Sequence, residues 1–263
     1  MHQTVMNRRK DLKSRLQRRE KVFAGWTSLG HPQVTEIFGR AGFDFVGIDI
    51  EHSTISQAES QRIIAAAQAN GMVCLPRIAS HNREMARRLL DSGADGLIVP
   101  VVETAEDVRA IIDWMKYPPA GKRGFGVARA QGYGFDFKEY TSTWNESSIL
   151  IVQIESIQAV KNVDEILAFP EVDGVMVGPY DISGSLNVPG QISHPSVVEA
   201  GLAVVEACRK AGKSCGNQIV EPDEAAIREF FGRDYTFAVL ASDIFALWKW
   251  SERMRSLMGR AGA

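Results

Sequence analysis

The chain has 263 residues, 45% hydrophobic and 24% charged, with a formal charge of −2. That length suits one large α/β domain, the composition excludes a disordered chain, and no apolar run nears the ~20 residues of a membrane helix. Cys74, Cys208 and Cys215 are odd in number and lack CxxC spacing, which argues against a disulfide framework or a zinc knuckle.

Residues 1–21 hold eight Lys or Arg against Asp11 and Glu20, leaving −8 for the remainder. The segment has no apolar stretch of secretory type, so the cytoplasm is the expected location. Val5, Leu12 and Leu16 fall at helical spacing with no aromatic residue interleaved, which predicts a solvated amphipathic helix set apart from the body, not a nucleic-acid arm.

Short apolar runs then alternate with segments of 3.6-residue period. In chain order the pattern predicts strand Val22–Leu29, helix Gln33–Ala41, strand Phe43–Ile48, helix Ser56–Asn70, strand Met72–Pro76, helix Asn82–Ser92, strand Gly96–Pro100 and helix Ala105–Met115. It continues with strand Ile149–Ile154, helix Gln158–Ala168, strand Val172–Val177, helix Pro195–Ala211, strand Lys213–Asn217, helix Asp223–Phe231, strand Tyr235–Leu240 and helix Asp243–Met258. Strands this short and continuously apolar belong to a parallel sheet buried on both faces, and eight βα units close into a (β/α)8 TIM barrel over residues 22–263 with no further domain boundary. Gly42, Gly71, Gly93 and Gly212 stand where left-handed helix caps are expected. Residues 116–148 do not fit the alternation: 33 residues rich in Gly and Tyr with a Pro-Pro pair read as a long connection serving a function or an interface.

In such a barrel the site is built at the C-terminal strand ends. Those ends carry Trp26, then Asp49-Ile50-Glu51-His52, Pro76-Arg77, Gln153-Ile154-Glu155, Gly178-Pro179-Tyr180-Asp181 and Ser242-Asp243. Glu155 and Asp181 are hard oxygen donors on adjacent strands without a His or Cys beside them, which suits Mg²⁺ or Mn²⁺. Arg77 can hold a carboxylate or an enolate oxygen, His52 titrates near neutrality and can move a proton, and Asp49 or Asp91 could orient its ring. Each has a structural alternative: helix N-cap carboxylates for Glu155 and Asp181, an ion pair for Arg77, a surface position for His52. It is their convergence on one barrel face that favours a cation with an anionic substrate. His31, His81 and His194 stand near a proline or a helix start and read as structural. The run Arg123–Gly134 places Arg129 where G-x-G-x-x-G needs its third glycine, so NAD is not expected, and the strand ends hold no lysine for a Schiff base or pyridoxal phosphate.

These motifs, in this order, carry a resemblance. G-W-T-S-L-G around Trp26, A-G-F-D-F-V-G-I-D-I-E-H ending at His52, L-P-R at Arg77, L-L-D-S-G-A-D-G at Asp91, Y-P-P-A-G-K-R-G at Arg123, V-Q-I-E at Glu155 and V-G-P-Y-D-I-S at Asp181 resemble the HpcH/HpaI aldolases from about Val22 to Trp248. The resemblance implies a barrel of the phosphoenolpyruvate/pyruvate type and a metal-dependent class II aldolase. Its expected substrate class is 4-hydroxy-2-oxo acids such as 4-hydroxy-2-oxoheptanedioate or 2-keto-3-deoxy sugar acids, cleaved reversibly to pyruvate and an aldehyde. It further implies that Glu155 and Asp181 ligate a divalent ion (Mg²⁺, Mn²⁺ or Co²⁺), and that His52 is the base, acting through a water on that ion, with Asp49 and Asp91 nearby. Arg77 would clamp the pyruvate oxygens, with Gln153 and Trp26 as pocket walls and Gly178, Pro179, Tyr180 and Asp181 meeting the substrate carboxylate. Known members are hexamers that exchange C-terminal helices, which would suit Trp248 and Trp250. Phe125, Arg129, Tyr133 and the tail Leu240 to Asp243 depart from the usual pattern and leave the aldehyde pocket unassigned. Claisen chemistry of the citrate-forming or acyl-CoA-lyase kind is the main rival, and a barrel that binds an oxo acid without catalysis is the second. No membrane or nucleic-acid partner is expected.

Overall fold

The computed structural model describes residues 2–240 and 242–261; Met1, Ala241 in the tail noted above, and Gly262 and Ala263 lie outside the described residues. Eight parallel strands close in sequence order, β1 to β8, with β8 returning to β1. They are β1 (Val22–Thr27), β2 (Phe45–Asp49), β3 (Val73–Arg77), β4 (Gly96–Val99), β5 (Ile149–Ile154), β6 (Gly174–Val177), β7 (Ser214–Ile219) and β8 (Phe237–Leu240).

Because side chains alternate across a strand, each strand divides its apolar residues between two cores. Val22, Ala24 and Trp26 of β1, Phe45 of β2, Val73 and Leu75 of β3, and Ile149 and Ile151 of β5 fill the barrel. Val46, Ile48, Cys74, Leu150 and Val152 face outward into a larger cluster shared with the surrounding helices. Continuing the inward register by two residues gives Asp49 on β2, Arg77 on β3 and Gln153 then Glu155 on β5. The residues expected to do chemistry are thus the next inward positions after the hydrophobic ones, at the end where the strands open.

The helices returning between strands are α2 (Pro32–Ala41), α3 (Gln57–Ala69), α4 (Arg83–Asp91), α5 (Ala105–Met115), α6 (Phe137–Ser147), α7 (Ile157–Lys161), α8 (Val163–Leu167), α9 (Pro179–Ser185), α10 (Pro195–Lys210), α11 (Glu224–Gly232) and α12 (Asp243–Ala261), preceded by α1 (His2–Gln17). Their starts follow side-chain chemistry: Ser56 with Glu59 and Thr104 with Asp107 form reciprocal capping boxes. The four glycines expected as caps all take positive φ, between 66° and 103°.

Three expectations are corrected. The predicted helix Gln158–Ala168 is two short helices, because Asn162 (φ −97°, ψ 8°) ends one and opens the next. The long connection 116–148 contains α6 and a short 3-10 stretch, Arg129–Gly134. Tyr140, Trp144 and Ser147 bury one stripe of α6 in a sequence that otherwise reads polar.

The third correction concerns the basic segment, which does not stand apart. α1 lies across the N-terminal mouth of the barrel, with Leu12 and Leu16 joining the interior cluster. Arg9 and Lys13 are buried. Lys13 Nζ sits 2.6 and 2.8 Å from the carboxylate oxygens of Asp173 and donates to the Ser148 carbonyl at 3.0 Å. Arg9 lies over the Trp144 ring at 4.8 Å and 3.5 Å from Asp95. Arg15 pairs with Asp44 and Arg19 with Asp234. The charge imbalance between segment and body is the signature of this docking, since cations of α1 meet acids of the barrel.

Candidate active site

Trp26 lies at the top of β1 directly over Gly47 of β2; a Cβ at Gly47 would fall 2.3 Å from the indole, so the glycine makes room for the ring. Arg77 stacks on that indole, with its guanidinium carbon 5.1 Å from the ring centroid. Its Nε and Nη2 grip Asp49 (3.2 Å and 2.8 Å to Oδ1, 2.8 Å to Oδ2), while Nη1 lies 3.2 Å from Glu51 Oε2. Asp49 also accepts from the His52 backbone N–H at 3.0 Å and from Trp26 Nε1 at 3.4 Å. Asp49 therefore fixes Arg77 and the start of the β2–α3 loop.

Neither acid expected to orient His52 reaches its ring within this chain. Asp49 binds the His52 main chain, and Asp91 is held by Arg123 at 2.8 Å. The reason is topological: α4 runs back antiparallel to β3, so its last residue, Asp91, stands at the opposite end of the barrel from His52. The imidazole is 68% exposed, and its Nε2 is 3.8 Å from Glu51 Oε2.

On the other side of the mouth, Glu155 is buried just past β5. Its Oε1 accepts from the Val101 N–H at 2.6 Å, and its Oε2 from Gln153 Nε2. Burial is the largest influence on this carboxyl, pushing its pKa up to about 7, with the charges of Asp181 and Glu51 adding to the rise and the Val101 hydrogen bond opposing it. Glu51 is also raised, by burial first, against the opposing pull of Arg77. Asp181, in the first turn of α9, is exposed. Gly178 keeps the space beside Glu155 open: a Cβ there would stand 2.7 Å from Glu155 Cβ and 3.0 Å from Oε2. Pro179 is half-buried and Tyr180 59% exposed at the rim.

A divalent cation fits this donor set. Glu155, Asp181 and Glu51 are carboxylate donors, with the charge of Asp181 raising both Glu155 and Glu51 and that of Glu51 raising Glu155; Glu51 Oε2 is met by the Arg77 ion pair, whereas Gln153 Oε1 is buried without a hydrogen-bond partner. Among the described residues no three His, Cys, Asp or Glu side chains form a ready ligand cluster. Two protein carboxylates with the remaining positions left to water and substrate oxygens suit a hard cation. Glu51 is the residue that sequence reasoning left without a role: it lies past the end of β2, where side-chain direction no longer follows the strand period.

Asp243 closes the mouth between β8 and β1. Its buried carboxylate accepts from Thr27 Oγ1 at 2.7 Å, from the N–H groups of Ser28 and Leu29 at 3.0 Å, and from Ile244 N–H at 2.8 Å. The β1–α2 loop beside Trp26 is thereby tied to the first turn of α12. Asp243→Ala is expected to lower stability by about 2 kcal/mol through these lost charge-assisted bonds. Urea unfolding at fixed protein concentration checks it, and an unchanged midpoint would contradict it.

Residues 23–249 match the family model described as HpcH/HpaI aldolase/citrate lyase. A Roseobacter denitrificans protein described as a hydroxypyruvate/pyruvate aldolase is 34% identical over 237 residues, covering 89% of this chain and 91% of that protein. The 2-keto-3-deoxy-L-rhamnonate aldolase of Escherichia coli K12 is 37% identical over 217 residues, covering 81% and 80% respectively. A crystal structure of an HpcH/HpaI aldolase/citrate lyase family protein from Burkholderia cenocepacia superposes with a TM-score of 0.89 at 30% identity, over 95% of this chain and 99% of that one.

Proposed function

This chain belongs to the HpcH/HpaI aldolase/citrate lyase family, and from that premise we propose that it is a divalent-metal-dependent aldolase that reversibly cleaves a 4-hydroxy-2-oxo acid into pyruvate and an aldehyde. It is a carbon–carbon lyase, and the curated relatives, named as aldolases, favour this reaction over citrate-forming chemistry. The observation that supports the finer reading is the gathering of acidic groups at the mouth, where the charges of Asp181 and Glu51 act on the buried Glu155 and Gln153 Oε1 is buried without a hydrogen-bond partner.

Glu155 and Asp181 would hold the cation, Mg²⁺ or Mn²⁺, which when bound supplies Lewis-acid stabilisation of the enolate. Arg77, stacked over Trp26 and braced by Asp49 and Glu51, would meet the oxygens of the oxo acid with its guanidinium. The first-turn amides of α9, at Tyr180 and Asp181, have no intrahelical acceptor and suit the substrate carboxylate next to Gly178 and Pro179. Gln153 and Trp26 line the pocket. His52 takes the proton of the C4 hydroxyl as the C3–C4 bond breaks and the electron pair passes into the enolate. A proton then returns to C3 to give the methyl group of pyruvate.

α12 supports assembly with further copies of the chain. Of its described residues only Asp243 is buried, while Leu247, Trp248, Trp250 and Met258 are 47–67% exposed. The hexamer of the family resemblance remains our reading of that assembly. No helix of the described residues is long and apolar enough to cross a membrane. The three cysteines are free and buried, as suits the reducing cytoplasm in which we place the reaction.

The test is proton NMR of pyruvate in D₂O with metal-stripped protein, with and without Mn²⁺ or Mg²⁺. Methyl exchange is expected to require the cation and to disappear in His52→Ala. Folded, cation-bound protein that exchanges no methyl protons would refute the enolate chemistry.

A further inference from the structure

The β4–α5 connection carries a backbone feature that the reaction above does not explain. Pro100 is held by its carbonyl, 2.8 Å from His81 Nε2. Val102 is fully buried and its N–H points at the Gln153 carbonyl, 3.4 Å away. Between these two fixed points Val101 takes φ = +53°. A β-branched residue in the left-handed region is an outlier that persists only where its surroundings hold it there. If the chain merely needed to turn, Gly, Asn or Asp would do so with less strain.

What the conformation provides is direction. With its flanks fixed, Val101 sends its side chain outward, 53% exposed, and its N–H inward to Glu155 Oε1 at 2.6 Å. That is short for an N–H···O contact, as expected when the acceptor carries charge. Glu155 Oε2 is met by Gln153 from within β5 itself, so the Val101 amide is the donor that reaches this carboxylate from the connection after the neighbouring strand β4. His81, which read as merely structural, becomes part of the support, because it fixes the carbonyl just before the strained residue.

We propose that Val101 is a positioning residue whose strained backbone aims its amide at Glu155 and so sets the carboxylate's orientation towards the divalent cation. The inference rests on the cation reading given above. Supports of this kind behind a metal ligand change affinity by about 10–100-fold.

Two measurements on metal-stripped protein test it. In ¹⁵N-resolved spectra the Val101 amide proton is expected far downfield and should move upfield in Glu155→Gln. In Mn²⁺ titrations followed by electron paramagnetic resonance, Val101→Pro, which lacks the N–H and cannot take the left-handed conformation, removes both parts of the device and should bind about tenfold or more weakly. Val101→Gly, which keeps the N–H and accepts the left-handed conformation, should stay within a few-fold of the parent. An amide shift indifferent to Glu155→Gln, or a folded Val101→Pro protein with parental Mn²⁺ affinity, overturns the proposal while leaving the cation site standing. If Val101→Pro does not fold, the amide shift decides. A parent protein that binds no Mn²⁺ overturns the cation reading itself, and the role of Val101 with it.

Discussion

Arg77→Ala is expected to unfold about 3–5 kcal/mol more easily than the parent and to lose pyruvate exchange altogether. The stability loss comes from the partner left behind. Asp49 is 5% exposed and receives three of its hydrogen-bond contacts from the Arg77 guanidinium, so removal of the arginine strands a buried carboxylate with only the His52 amide and the distant Trp26 N–H. The double variant Asp49→Ala/Arg77→Ala should therefore recover part of the stability while remaining inactive, because the uncompensated charge is gone but the oxo-acid clamp is not restored. Arg77→Lys separates charge from geometry: a point ammonium cannot reproduce the paired Nε and Nη2 grip on Asp49. Urea unfolding at matched protein concentration, paired with the methyl-exchange assay, reads both effects. A single Arg77→Ala variant as stable as the double would show that Asp49 does not depend on its partner.

How much of this was legible in the sequence depends on the range of the interaction involved. Strand ends were legible because the inward, two-residue register that places Phe45, Val73 and Ile151 in the core also places Asp49, Arg77 and Gln153, and needs no knowledge of other strands. The docking of α1 was not, since Arg9 and Lys13 are buried only because Asp95 and Asp173 wait just before the distant strands β4 and β6, and a basic run alone looks solvated. α6 was hidden for a different reason: its buried stripe is Tyr140, Trp144 and Ser147 set among Lys, Glu, Thr and Asn, too sparse to register as a period.

The candidate site divides in the same way. Residue types at strand ends suggested a cation and an oxo acid, but within the single chain the expected partners stand apart where placement depends on helix direction, as for Asp91, or on loop conformation, as for the His52 ring. Val101 is the extreme case. Nothing in P-V-V marks a left-handed residue, and the conformation follows from the tertiary hold of His81 and Gln153 on its neighbours.

The same burial that makes Glu155 a candidate ligand makes its charge costly without a cation, and this sets the sign of a second large effect. The folded carboxyl titrates at about 7 against an ordinary 4.5. The native state therefore holds more protons than the unfolded chain between those values, and metal-free stability should fall as pH rises through that window. The full loss, reached above pH 7, is about 3 kcal/mol at 1.4 kcal/mol per pH unit. Replacing the carboxyl with a neutral isostere removes the titration, so metal-free Glu155→Gln should match the parent near pH 4.5 and exceed its stability by about 3 kcal/mol at pH 8. Saturating Mn²⁺ should reverse that order, because the cation binds the ionised parent and releases a proton, with affinity rising about tenfold per pH unit up to pH 7. The variant, lacking the charge, should gain no stability from Mn²⁺ and catalyse no exchange. Denaturant midpoints across pH 4.5–8 with and without Mn²⁺ test both halves. A metal-free variant less stable than the parent at pH 8 would mean that Glu155 is ionised and satisfied by Val101 and Gln153 alone, and that its place at the mouth is structural.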